Sequence, residues 1–260
     1  MEVAQAPTAS RGMTIAFRIL AGLIGGITMI TTVLSTIPVF TETKDKVHSF
    51  HDIGAMPAYM FLLSFPLVIL AIHPADVVAL RIAWATTMGS MIASAIGQDF
   101  VSGSYFVAPI VMIVLTILAP TRRELLRAGS PNVALLSLAL IAAIPVIVYA
   151  WDNARIMLQG DPMTDVTGHW SGHHWSGIAG AALGLVLCAA VVAFRREGDR
   201  MWTWIVGLSV MLFGLAGIVY ADDVRYPSSI GSLWGVLALF VGLVYIVVAE
   251  VTGRDEGQAP

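Results

Sequence analysis

Long apolar runs alternate with short polar breaks along nearly the whole chain. Eight segments approach the roughly 20 apolar residues that a helix needs to cross a hydrocarbon core. They are 19–40, 53–72, 79–97, 104–120, 132–150, 175–194, 201–220 and 230–250. The third and fourth are the weakest, being short and separated by the polar stretch QDFVSGS. One broken helical hairpin is the alternative for that pair. The pattern predicts an all-α, polytopic membrane protein of about eight transmembrane helices.

Composition agrees. Of 260 residues, 57% are hydrophobic and 12% charged, with a mean hydropathy of +0.82. A soluble domain carries about 25% charged residues. The N-terminal MEVAQAPTASRGM is polar and begins with an acid rather than a basic stretch. The apolar run behind it exceeds a signal-peptide core, so a retained first helix is expected. Cys188 is the single cysteine. That excludes a disulfide framework, a CxxC redox centre and a cysteine-rich zinc site. The net charge is −3 and the basic residues are scattered, so no nucleic-acid partner is expected.

Lysine and arginine favour the cytoplasmic side of membrane helices. With the N-terminus inside, the cytoplasmic flanks hold Arg11, Arg18, Arg81, Arg122, Arg123, Arg127, Arg195, Arg196, Arg200 and Arg254. The opposite side holds only Lys44, Lys46, Arg155 and Arg225. This bias predicts cytoplasmic N- and C-termini, an even helix count and an inner-membrane location. The outer loops 41–52, 98–103, 151–174 and 221–229 then contain every histidine except His73, and many of the acids.

A tandem repeat is also expected. Setting His51 against His174 brings Gly54 onto Gly177, Leu62 onto Leu185, Asp76 onto Asp199, Met88 onto Met211 and Asp99 onto Asp222 without gaps. The order of long outer, short basic inner and short acidic outer loops recurs in both halves. The division is a tail at 1–18, four-helix units at 19–127 and 128–250, and a tail at 251–260. Parallel repeats of this kind recur in membrane folds.

Histidine and aspartate supply the candidate chemistry. GHWSGHHWSG (168–177) carries His169, His173 and His174, and HSFHD (48–52) carries His48 and His51. Asp165, His169 and His173 are spaced four apart, which would place them on one helical face. Two imidazoles and a carboxylate suit zinc, iron or copper with open coordination positions. The glycines and the five-residue period of HWSG equally fit an irregular loop, with His174 entering the sixth helix and Trp170 and Trp175 at the membrane interface. Asp52 is placed to orient an imidazole. Asp99 and Asp222 end apolar helices, where a carboxylate opposes the helix dipole and needs a compensating partner. The candidate metal ligands are therefore His51, Asp99, His173, His174 and Asp222, with His48, His169 and Asp165 behind them.

The four-plus-four layout resembles that of the haem A synthases, which place haem-ligating histidines on paired helices. The fourth and eighth segments here contain no histidine, so that ligand pattern does not carry over. A histidine near the second helix, an aspartate ending the third and a later HxxxH (His169, His173) resemble the zinc hydrolases of the alkaline ceramidase and adiponectin receptor group. Their serine motif is not apparent, and this HxxxH precedes a helix.

The leading expectation is a membrane protein that binds a transition metal or haem at its extracytoplasmic face and acts on a lipid-soluble substrate by redox or hydrolytic chemistry. The alternatives are a transporter or channel built from two four-helix repeats and a non-catalytic subunit of a larger membrane complex. A homo-oligomer is compatible with each. Ionisable residues are almost absent from the spans, which argues against a proton-coupled pump with a midplane site.

Overall fold

The computed structural model describes residues 10–41, 50–100, 106–127, 129–158, 173–194, 200–221 and 229–256, and among these the secondary structure is entirely helical. The helices are α1 (Arg11–Thr41), α2 (His51–Ile72), α3 (Val77–Ile96), α4 (Val107–Leu118), α5 (Val133–Leu158), α6 (His173–Ala193), α7 (Arg200–Val219) and α8 (Gly231–Glu256). Seven of them are long and apolar enough to cross a membrane. Large apolar side chains such as Ile19, Leu23, Ile27, Ile141, Ile144 and Phe240 lie more than half exposed on their outer faces. An apolar exterior on this scale belongs in lipid rather than water.

Of the about eight expected segments, the fourth, one of the two weakest, is too short to span. Only 12 residues are helical there, about 18 Å at 1.5 Å per residue, against a core of roughly 30 Å. Val107–Leu118 still reverses the chain. Trp84 Nε1 of α3 donates to Thr116 Oγ1 of α4 at 2.7 Å. Arg81, nearer the start of α3, donates to the carbonyls of Leu125 at 3.0 Å and Glu124 at 2.6 Å, just beyond α4. The third segment, also expected to be weak, forms a full 20-residue helix. Its alanines, serines and threonines lower the hydropathy because α3 faces protein, and with α6 it is the most enclosed span.

Hydrogen bonds fix one end of the bundle, which is rich in arginine. Arg18 of α1 donates to the Ala71 carbonyl of α2 at 2.7 Å. Asp76 caps α3 by accepting from Ala79 N at 2.9 Å, and its other oxygen accepts from Trp202 Nε1 of α7 at 3.1 Å. Asn132 caps α5, donates from its backbone to the last turn of α6 at Ala193, and reaches Thr252 of α8. Glu250 accepts from Arg200 Nε at 2.6 Å and Trp204 Nε1 at 2.7 Å. The first helix therefore starts, and the last ends, at this same end.

In lipid, helices associate through close packing and hydrogen bonds, so small residues are favoured where they touch. The antiparallel pair α3 and α6 shows this most strongly. A Cβ on Gly89 would lie 2.5 Å from Gly184 N and 2.8 Å from Gly180 O. The pair α7 and α8 meets similarly, with Gly214 and Gly235 each within 2.6 Å of the other's carbonyl by the same construction. Helix α5 also packs on α6, α1 on α2, and α2 on α7.

Helix α2 is not uniform. Two π-helical turns, His51–Ala55 and Met60–Ser64, each precede a short α-helical stretch with a proline in its first turn, Pro57 or Pro66. Pro66 lacks the N–H that would serve the Leu62 carbonyl in α-helical register. Thr86 of α3 donates to that carbonyl at 2.8 Å.

Two substitutions test this packing. Gly89→Leu should lower the melting temperature in detergent by the equivalent of about 1–3 kcal/mol of overpacking, whereas Gly26→Ala, with nothing near its Cβ position, should leave it unchanged. Thr86→Val should cost about 1–2 kcal/mol by leaving the Leu62 carbonyl unpaired, and Thr86→Ser should restore most of it.

Candidate functional site

At the end of the bundle opposite the arginines, the start of α2, the end of α3 and the start of α6 come together. His51 is the first residue of the opening π turn of α2 and is 8% exposed. Its Nδ1 lies 2.8 Å from Oδ1 of Asp52, the neighbour that the sequence placed to orient an imidazole. In the tautomer that donates from Nδ1, Nε2 carries the lone pair. That nitrogen faces α6, only 3.6 Å from where a Cβ on Gly177 would stand.

Asp99 reaches the same place through the turn that ends α3. Gln98 N donates to Ala95 O at 3.3 Å and Asp99 N to Ser94 O at 2.8 Å. This is a Schellman cap, whose left-handed position usually belongs to glycine. Here Gln98 occupies it at φ 54°. Non-glycine residues in that region are uncommon and strained. The turn swings Asp99 back under cover, where it is 4% exposed. Ser176 in the first turn of α6 donates its hydroxyl to Asp99 Oδ2 at 2.6 Å. The adverse dipole of the α3 C-terminus is thus offset by the positive N-terminal end of α6 and a charge-assisted hydrogen bond.

Tyr59 ties the three helices together one layer deeper. Its hydroxyl donates to the Gly177 carbonyl of α6 at 2.8 Å and lies 2.9 Å from Ser90 Oγ of α3. Deeper still, Thr86 Oγ1 meets Cys188 Sγ at 3.3 Å. An aromatic floor closes the site from α7: Phe213 packs edge-on against Phe50, beside His51, with ring centroids 5.2 Å apart, and against Tyr149 of α5 at 6.2 Å.

Of the residues singled out by sequence, the structure brings His51 and Asp99 to this one end. It starts α6 at His173, one residue earlier than expected, so His173 and His174 both belong to its first turn. The side chains of these two histidines, and His48, Asp165, His169 and Asp222 altogether, lie outside the described residues. Among the described residues no group of three histidine, cysteine, aspartate or glutamate side chains is arranged to hold a metal ion. Trp175, in the first turn of α6, is buried in the protein. Ser176 and Tyr59 were not legible as site residues. Ser176 sits inside the second HWSG copy, whose histidines draw notice first, and Tyr59 is a lone hydroxyl in an apolar run.

Comparison with known protein families, with curated proteins and with solved structures finds no match.

Ser176→Ala should destabilise the protein by about 1–3 kcal/mol, since it withdraws a donor from a buried carboxylate. The double variant Ser176→Ala/Asp99→Asn should recover part of that loss in thermal melts, because the charge that needed the donor is gone.

Proposed function

We propose that the protein is a multi-pass inner-membrane protein that holds a transition-metal ion at its extracytoplasmic end and applies it to a lipid-soluble substrate. The observation that carries this reading is the buried His51–Asp52 pair. A metal-ligating histidine commonly donates its other ring N–H to a carboxylate, which fixes the tautomer and raises ligand basicity. His51 Nε2 and Asp99 are the ligands proposed from the described residues, with His173, His174 and Asp222 as the remaining donors. A carboxylate in the set favours a bare zinc, iron or copper ion over haem iron. Such an ion would activate water for hydrolysis, or cycle electrons if it is iron or copper. The arginine-rich end is assigned to the cytoplasm by the positive-inside bias.

Metal content and visible absorption of the purified protein test this. The expected result is stoichiometric metal without a haem spectrum. His51→Ala should abolish binding, and Asp52→Asn should weaken it by about 10–100-fold. His73→Ala, exposed at the opposite end, should bind as the wild type does. Wild-type protein that takes up neither metal nor haem overturns the reading.

A second reading, transport by two rocking halves, draws on the order in which the helices pair. Contacts of α1 with α2, α2 with α3, α3 with α4 and α1 with α4 have counterparts in α5 with α6, α6 with α7, α7 with α8 and α5 with α8. Between halves, α2 meets α7 as α6 meets α3. The contact of α3 with α5 breaks this pattern. The order supports a tandem four-plus-four repeat, a plan that transporters use. Solute uptake into proteoliposomes would favour this second reading over the first.

A further inference from the structure

Asn153, near the end of α5, is 2% exposed. Its Nδ2 donates to the Tyr149 carbonyl one turn back at 2.9 Å. Among the described residues no donor reaches Asn153 Oδ1. Leaving such an acceptor buried and unpaired is costly, and native structures almost always satisfy it by some partner.

Its place in the fold joins it to the site above. Ala150 and Ala154, on the same stretch of α5, pack with Ala179 and Leu183 of α6 and Ala93 of α3. Ser176 lies one turn before Ala179, and Asp99 closes the turn that follows Ala93 in α3. Tyr149, one turn before Asn153, rests on Phe213, the same ring that meets Phe50 beside His51. The carboxamide therefore stands one turn beyond the aromatic floor, toward the end that carries His51, Asp99 and Ser176. Among the described residues this end carries the oxygens of the Asp52 and Asp99 carboxylates and of Asn153. The one thiol, Cys188, is deeper in the bundle, engaged with Thr86 and the Ile82 carbonyl.

We propose that Asn153 Oδ1 is an oxygen ligand of the metal ion held by His51 and Asp99. The resulting nitrogen and oxygen donors select a borderline or hard divalent cation such as Zn²⁺, Mn²⁺ or Fe²⁺ over Cu⁺, which prefers thiolate and thioether sulfur. This rests on the metal-site reading above. The amide oxygen adds affinity without adding charge beside Asp99, and metal binding gives the buried acceptor its partner.

The test measures Zn²⁺ and Cu⁺ affinity of the full-length protein in detergent by chelator competition, with thermal melts of the metal-free and metal-loaded forms. Asn153→Leu keeps the branching at Cγ and removes the oxygen. It should weaken Zn²⁺ binding at least tenfold, while the metal-free form melts at the same temperature or higher because the unpaired acceptor is gone. Asn153→Asp keeps the oxygen, so it should tighten Zn²⁺ binding and show a larger melting shift on loading. Wild-type protein should prefer Zn²⁺ to Cu⁺. Equal Zn²⁺ affinity in wild type and Asn153→Leu, or unchanged or weaker binding in Asn153→Asp, overturns the role of Asn153 and leaves the His51 site standing. If Asn153→Leu does not fold, the Asn153→Asp comparison decides alone. Wild-type protein that binds no metal overturns both, and His51→Ala separates the two failures.

Discussion

The close approach of α3 and α6 is the contact on which the rest of the structure depends. Lipid tails are as apolar as leucine, so no hydrophobic force gathers these helices; packing and hydrogen bonds must do so. Gly89 set over Gly180 and Gly184 brings the two backbones near enough for side chains on either side to meet. Thr86 then reaches Cys188, and Asp99 reaches Ser176. Ser90 and the Gly177 carbonyl come to share the hydroxyl of Tyr59 from α2. A bulky residue at Gly89 would separate all of these pairs at once. The site at the end opposite the arginines is thus supported by a contact in the middle of the bundle.

A second constraint shapes α2. Every backbone group within the hydrocarbon must find a partner inside the protein. Two prolines in one span would leave carbonyls unserved, and the chain answers with π turns and a donor lent by a neighbour. Departure from α-helical register recurs at functional sites, and His51 opens the first of these π turns. The same requirement explains the arginine-rich end. Arg18 and Arg81 donate from their guanidinium groups to carbonyls at a helix end and in a connector. Their positive charge and their structural role therefore coincide at one surface.

Much of the fold was legible in the sequence, and the exceptions have physical causes. Seven spans follow from apolar run length, since a helix that faces lipid must be apolar along its whole exposed length. The third and fourth segments, the weakest in the sequence, show where that logic weakens. α3 touches protein on most of its surface, so its glycine, serines and threonines lower hydropathy without shortening the helix. α4 has the apolar character of a span but only 12 helical residues. Within the site, the pairing of Asp52 with His51 was readable because the two are neighbours in the chain. The bond from Ser176 to Asp99 was not, because it joins residues 77 positions apart.

Run length, charge asymmetry and local spacing determined what the chain by itself could dictate: an all-helical membrane protein with arginine gathered near one set of helix ends and histidine and aspartate near the other. These are properties of a residue and its immediate neighbours in contact with lipid, water or the membrane surface. Only the tertiary structure decided which helices touch, that Gln98 takes a left-handed turn to bury Asp99, and that Trp175 packs inward. It also decided that Asn153 is enclosed, with no donor to its amide oxygen among the described residues. Those outcomes depend on the close fit of one helix against another, which hydropathy does not encode.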